Sequence, residues 1–167
     1  MTKGKTGRVT TDCITIEPAT AEDLQRVIDI DHAMTGSAKA EFWYEYFYRQ
    51  SARSNSLFLV ARVGGEVAGY ITGSVRVWEF GSPPAGWIHA IGIDPAYRKN
   101  GIGTALFQRI TTFFQGCGTR TVRTMLHIDD HLLMSFFRFQ GMSAGPFIEL
   151  DMALPETGPA PMSEAAP

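Results

Sequence analysis

Arg98, Gly101 and Gly103 follow the spacing Arg98-x-x-Gly101-x-Gly103, which can hold a pyrophosphate. They sit in the run from Ile91 to Ala105, where an apolar strand passes through a glycine-bearing turn into a helix. A strand ending at Pro95 and a helix beginning near Gly101 leave the intervening backbone N–H groups without helical partners. Those amides, with the helix dipole, attract anions. The glycines let a ligand approach the main chain closely, and Arg98 and Lys99 add positive charge beside the amides.

Spacing separates the nucleotide motifs that compete for this run. A Walker loop requires a lysine directly after its last glycine, and none follows Gly101 or Gly103. The dinucleotide fingerprint requires a third small residue three positions after Gly103, where Leu106 stands. What remains resembles the acetyl-coenzyme A signature Gln/Arg-x-x-Gly-x-Gly/Ala of the GCN5-related N-acetyltransferase (GNAT) superfamily.

The elements around the motif follow from periodicity. Ile14 and Ile16 mark a first strand, and Thr20-Ala21-Glu22-Asp23 reads as a capped helix start followed by Leu24, Val27 and Ile28 at helical spacing. A second helix, about 38 to 51, carries Phe42, Trp43, Tyr46 and Phe47 on an aromatic face. Gly64-Gly65 joins two β-rich runs, 57 to 63 and 66 to 77, into a hairpin, and the strand from Trp87 to Ile93 follows. Ile102, Leu106, Ile110 and Phe113 form one helical face. The pattern then predicts a strand over 120–128, a helix over 130–139 and a last strand over 147–154. The resulting order, β-α-α-β-β-β-α-β-α-β, is that of the GNAT superfamily. The fold class expected is therefore α/β (α+β mixed), a central mixed sheet with helices on both faces, which explains the nearly continuous apolar character of 87 to 93.

The resemblance implies a chemistry and a set of residues. Acetyl-coenzyme A would place its pyrophosphate on the turn formed by Arg98, Lys99, Asn100, Gly101, Ile102, Gly103 and Thr104. Its pantetheine arm would run along Ile91, Gly92 and Ile93, with Gly92 leaving room for that approach. Acetyl transfer requires a neutral amine, and an alkylammonium has a pKa near ~10, so a base or water relay must remove its proton. His89 is the candidate base, two residues before the pantetheine segment, where arylalkylamine-type members also carry a histidine. Relatives commonly supply a tyrosine four residues before a Gly-Phe pair to protonate the leaving thiolate. Here Phe137 occupies that position, before Gly141-Met142, and Asp130 replaces the usual asparagine at the helix start. Tyr44, Tyr70 and Tyr97 are alternative acids that spacing does not separate. Acceptor selectivity is expected from the second helix, the loop 79–86 and the turn 143–146. Glu41, Glu45 and Glu79 read either as attractors of a cationic amine or as solvated surface carboxylates.

Composition limits the remaining possibilities. The chain of 167 residues fits one domain, 13–154, with a loose arm over 1–12 and a proline-rich tail over 155–167. A net charge of -2 gives no reason to expect nucleic acid, and no apolar run is long enough for a membrane span or a signal peptide, so the expected compartment is the cytoplasm. Cys13 and Cys117 have no metal-ligand spacing, and no metal is expected. The leading expectation is an acetyl-coenzyme A dependent N-acetyltransferase working by direct attack of a small-molecule or protein amine, with homodimerisation possible as in relatives. The alternative is a coenzyme A or acyl-coenzyme A binding module that senses without transferring, which Phe137 motivates.

Overall fold

Apolar side chains from the three strands within 56–93 are buried on both faces of one five-stranded sheet in the computed structural model, which describes residues 14–78 and 81–154. The expected arm and tail, Cys13 and Glu79 lie outside the described residues. In chain order the strands are β1 (Ile14–Pro18), β2 (Ser56–Val63), β3 (Glu66–Arg76), β4 (Ala85–Ile93) and β5 (Val122–Arg123), and they lie side by side in that order. The first four pair antiparallel, while β5 runs parallel to β4. Gly64 and Gly65 have φ of 61° and 89°, as a two-residue hairpin turn with two positive φ angles requires.

Helices α1 (Leu24–Thr35) and α2 (Ala40–Ser51) cover one face of the sheet. There Leu24, Val27, Trp43 and Phe47 pack with Phe58, Val60 and Tyr70 of β2 and β3. Helices α3 (Ile102–Gly116) and α4 (His131–Phe139) cover the other, where Leu106, Ile110, Phe114 and Phe137 meet Leu59, Ile71, Ile88 and Ile91. The order of elements thus matches the expectation through α4, and the fold is the mixed α/β arrangement anticipated. At the start of α1, Thr20 donates both its backbone N–H and its hydroxyl to Asp23, at 2.9 and 3.0 Å. The α1–α2 contact is fastened by buried Asp31, which accepts from Trp43 Nε1 at 3.0 Å and pairs with Lys39 at 2.9 Å.

The expected last strand, 147–154, is not formed, and the expected strand 120–128 shortens to Val122–Arg123. Ile148, Leu150, Met152 and Leu154 alternate with Glu149, Asp151 and Ala153, yet all four are exposed. Alternation specifies which face of a strand would be buried, but a strand also needs a neighbour's hydrogen bonds, and β5 offers only two residues. Phe147 instead lies under the Arg123 guanidinium, 4.6 Å from ring centroid to Cζ.

Two glycines set how closely α3 approaches the sheet. A Cβ on Gly86 would lie 2.3 Å from the Phe114 ring, and one on Gly73 would lie 2.3 Å from Trp87 O and 2.9 Å from Phe114. The ring fills the slot those missing side chains leave. Gly86→Ala should therefore lower unfolding free energy by about 1–3 kcal/mol through overpacking. Gly116→Ala, with open space around its Cβ at the end of α3, should raise it by about 0.5–1 kcal/mol. Urea denaturation of the two variants checks the contrast.

Candidate functional site

The turn between β4 and α3 is held from both sides. Asp94 ends β4 with its N–H on Ala68 O at 2.9 Å, its carboxylate accepting from Ala96 N at 2.7 Å and pairing with Arg26 of α1. A short 3-10 turn, Pro95–Tyr97, follows. Lys99 and Gly101 then adopt φ of 64° and 78°, and Asn100 donates to Tyr97 O at 3.1 Å. The first helical amide with an acceptor inside this segment is Ala105, on Gly101 O at 3.0 Å. The N–H groups of Ile102, Gly103 and Thr104, in the first turn, thus have no acceptor within the helix and stand at the positive end of its dipole. Gln140, after α4, donates to Thr104 Oγ1 at 3.0 Å and so ties the end of α4 to the start of α3.

This turn is the charged rim of a cavity of about 290 Å³ whose walls are apolar. Ile91 and Ile93 of β4 form one wall, Leu132, Leu133 and Phe136 of α4 another, and Met34 of α1 closes a corner. Of the residues singled out from the sequence, Ile91, Ile93, Arg98, Lys99, Gly101, Ile102, Gly103 and Thr104 are gathered around it. Gly92, Asn100, Asp130 and Phe137 are not among its lining residues. Asn100 and Asp130 hold backbone instead, Asp130 by accepting from Leu133 N at 3.0 Å as the cap of α4. Phe137 is 4% exposed and packs in the core beneath, against Phe107. Its neighbour Phe136 faces the cavity, and a Cβ on Gly103 would stand 3.0 Å from that ring. Gly92 has a reason different from the one expected: a Cβ there would lie 2.4 Å from the Tyr70 ring, on the α1–α2 side of the sheet. Its bareness accommodates a buried tyrosine.

The cavity exists because β4 and β5 part. They pair at Gly86–Val122 and Trp87–Arg123, after which Thr124 Oγ1 reaches back to Ile88 O at 3.1 Å. At the parting β4 is bulged: Thr72 pairs with Ala90 and Gly73 with Ile88, leaving His89 without a partner on β3. The His89 ring turns toward α2, with Nδ1 2.6 Å from Tyr46 Oη and Nε2 3.0 Å from Ser74 Oγ. Burial, with the nearby Arg76 charge, lowers its pKa to about 4. Both ring nitrogens of the expected base are thus engaged, and burial disfavours its protonated form. Tyr46, which periodicity marked only as part of an aromatic face, is the phenol that reaches His89, and burial raises its pKa. Tyr70, proposed from the sequence as an alternative acid, is buried under Gly92 with its pKa pushed up by burial and by Asp31. Tyr97 lines the cavity but donates its hydroxyl to Glu66 at 3.2 Å.

Among the described residues no group of three or more His, Cys, Asp or Glu is arranged to hold a metal ion. Within the same residues no helix is long and apolar enough to cross a membrane. Residues 24–142 match the model of the acetyltransferase (GNAT) family. The N-alpha-acetyltransferase RimI of Mycobacterium tuberculosis (strain ATCC 25618 / H37Rv) is 32% identical over 107 residues, a match spanning 64% of this chain and 65% of that protein. Among solved structures, the aminoglycoside 6'-N-acetyltransferase AAC(6')-IG from Acinetobacter haemolyticus is similar in fold, with a TM-score of 0.73, 16% identity, and 85% of this chain and 99% of that chain covered. The aminoglycoside N-acetyltransferase AAC(6')-Iy in complex with CoA is likewise similar, with a TM-score of 0.73, 12% identity, and 84% and 94% covered.

The lowered pKa of His89 has a consequence for stability. The unfolded chain takes up a proton near pH ~6.5 and the folded chain only near pH 4, so below ~6.5 the unfolded state binds more protons. Stability contributed by neutral His89 is complete above that pH and drains away as pH falls toward 4. As the pH falls between those limits, urea unfolding of the native chain should lose more stability than that of His89→Gln.

Proposed function

The chain belongs to the acetyltransferase (GNAT) family, and on that premise we propose that it is an acetyl-coenzyme A dependent N-acetyltransferase working by direct transfer to an amine. The observation that carries this reading is the joined geometry of a charged, amide-lined turn and an apolar cavity beside the open edge of β4. The donor's pyrophosphate would meet Arg98, Lys99 and the amides of Ile102, Gly103 and Thr104, where anionic oxygens find unpaired donors. The cavity walls, Ile91 and Ile93 on one side and Leu132 and Phe136 on the other, suit the less polar arm that carries the thioester. The coenzyme A complex of AAC(6')-Iy supports the same assignment of donor.

In the transfer itself the amine nitrogen attacks the thioester carbonyl carbon, the carbon–sulfur bond breaks, and the amine's proton balances the charge of the departing thiolate. Binding both partners in one cleft supplies much of the acceleration as positioning. Acceptors fall in the class of small-molecule or protein amines. RimI is named for acting on an α-amine and the structural neighbours for acting on aminoglycosides, and α2 with the turn after α4 are the elements that would distinguish them. The second reading, a coenzyme A binding module without transfer, is favoured by Phe137 having no hydroxyl and by the engaged state of His89.

Free-thiol release from acetyl-coenzyme A across a panel of amines and peptides separates these readings: release with any acceptor supports transfer, and coenzyme A binding without release supports the module. Gly103→Val should fill the space before Phe136 and weaken coenzyme A binding at least about tenfold by calorimetry, about 1.4 kcal/mol. Native affinity in that variant would remove this turn as the donor site.

A further inference from the structure

Four side chains from three elements form a continuous hydrogen-bonded chain on the α2 side of the sheet, and proton counting gives it a direction. Thr72 has one hydroxyl proton, which it donates to Leu57 O at 3.2 Å. Thr72 Oγ1 therefore accepts from Tyr46 Oη at 3.0 Å, which commits the single phenolic proton. In this direction Tyr46 Oη accepts at its 2.6 Å contact with His89 and Nδ1 carries the imidazole hydrogen; the reverse direction, Tyr46 donating to Nδ1, leaves one of the two Thr72 contacts without a proton. A neutral ring so protonated has a lone pair on Nε2, which receives the hydroxyl of Ser74 at 3.0 Å. Thr72 and Ser74 are both buried, at 0% and 6% exposure, and the chain of bonds ends on a backbone carbonyl.

We propose that Tyr46, His89 and Ser74 form a neutral hydrogen-bonded tie in which His89, fixed as the Nδ1–H tautomer, is a positioning residue that holds the β4 bulge against α2 and does not take the amine's proton. The bulge is where β4 leaves β5, so the tie sets the edge on which Ile91 and Ile93 stand. Its other end is the aromatic helix expected to meet the acceptor. Tyr46 stands 5.6 Å from Phe42 and 5.8 Å from Trp43 between ring centroids, so the hydroxyl on His89 also fixes this aromatic row. Protonating Nε2 would force Ser74 to turn its own proton away inside a buried site. Among the described residues, the charges that act on the tie are those of Arg76 of β3, on His89 and Tyr46, and Arg49 of α2, on Tyr46. Neither stabilises an imidazolium. With His89 outside the proton path, the acidic limb of the rate profile belongs to the acceptor amine or to a group outside the tie.

The tie rests on the N-acetyltransferase reading only for what it positions, and its test has one arm independent of activity. Long-range 15N–1H correlation on the histidine-labelled full chain, with His89 assigned by its loss in H89Q, should show Nδ1 protonated and Nε2 bare. No titration is expected between about pH 5.5 and about pH 8.5. A dominant Nε2–H tautomer, or titration near ~6.5, overturns the proposal. In the kinetic arm, H89A and Y46F should raise the amine KM about tenfold with a smaller change in kcat, and neither should move the acidic limb. H89Q, whose amide can donate to Tyr46 and accept from Ser74, should recover most of that loss. A fall of about 100-fold in kcat in H89Q with loss of the acidic limb is the signature of a missing base and equally overturns it. Should no amine release thiol, the transferase reading fails while the resonance measurement still decides the tie.

Discussion

Everything functional in this fold depends on β4 losing a neighbour halfway along its length. Over Gly86 and Trp87 it is an interior strand with β3 on one side and β5 on the other; beyond that point only β3 remains. A strand so released still has to keep both faces buried, and it does so with Ile88 and Ile91 toward α3 and Ala90 toward α1 and α2. The extra residue at His89 reconciles these demands. A bulge raises local twist, which carries the strand away from β5, and it shifts the side-chain phase by one residue, so that His89 and Ala90 both face the α1–α2 layer between Ile88 and Ile91 on the other side. The open edge and the cavity beside it follow from that one inserted residue.

Around the opening, polar groups are buried in satisfied sets. Asp31 gathers Trp43 and Lys39, Asp23 gathers Thr20 and Arg62, and Tyr46 gathers His89 and Thr72. The Asp23 and Tyr46 sets join elements distant in sequence, the Asp31 set the consecutive helices α1 and α2, and each would be costly if half-formed, because an unpaired polar group in a region of low dielectric loses its solvation without compensation. Together they fix α1 and α2 on the sheet with an orientation that aromatic packing alone would leave adjustable. The opposite layer is organised differently, mainly by apolar packing of α3 and α4, with Gln140 on Thr104 as a polar tie between them. Binding amides and acceptor-side aromatics therefore belong to layers held by different forces.

What could be read from the sequence was what is local. Arg98, Gly101 and Gly103 reveal their turn because glycine at positive φ, a helix start and a nearby cation are properties of neighbouring residues. The hairpin at Gly64-Gly65 and the helix over 102–116 were legible for the same reason. Phe136 and Phe137 were not separable, since both fit the helical phase of Leu133 and only packing decides that one faces the cavity and the other the core. The contact between Tyr46 and His89 spans 43 residues and leaves no trace in either segment's periodicity. Gly92 misled for a related reason: a bare Cα looks the same whether a ligand or the ring of Tyr70 needs the space. The unformed strand over 147–154 shows that alternation describes a face and cannot supply an edge.

The Phe114 ring in its slot between Gly73 and Gly86 makes α3 a lever. Its pivot lies near the C-terminal end of the helix and its load, the amides of Ile102 to Thr104, near the other, about 18 Å away at 1.5 Å per residue. A tilt of only about five degrees at the pivot would carry those amides by about 1.5 Å, enough to misalign hydrogen bonds of normal length. The precision of the anion-binding turn is thus set partly by two glycines on the far side of the core, at positions no ligand would touch.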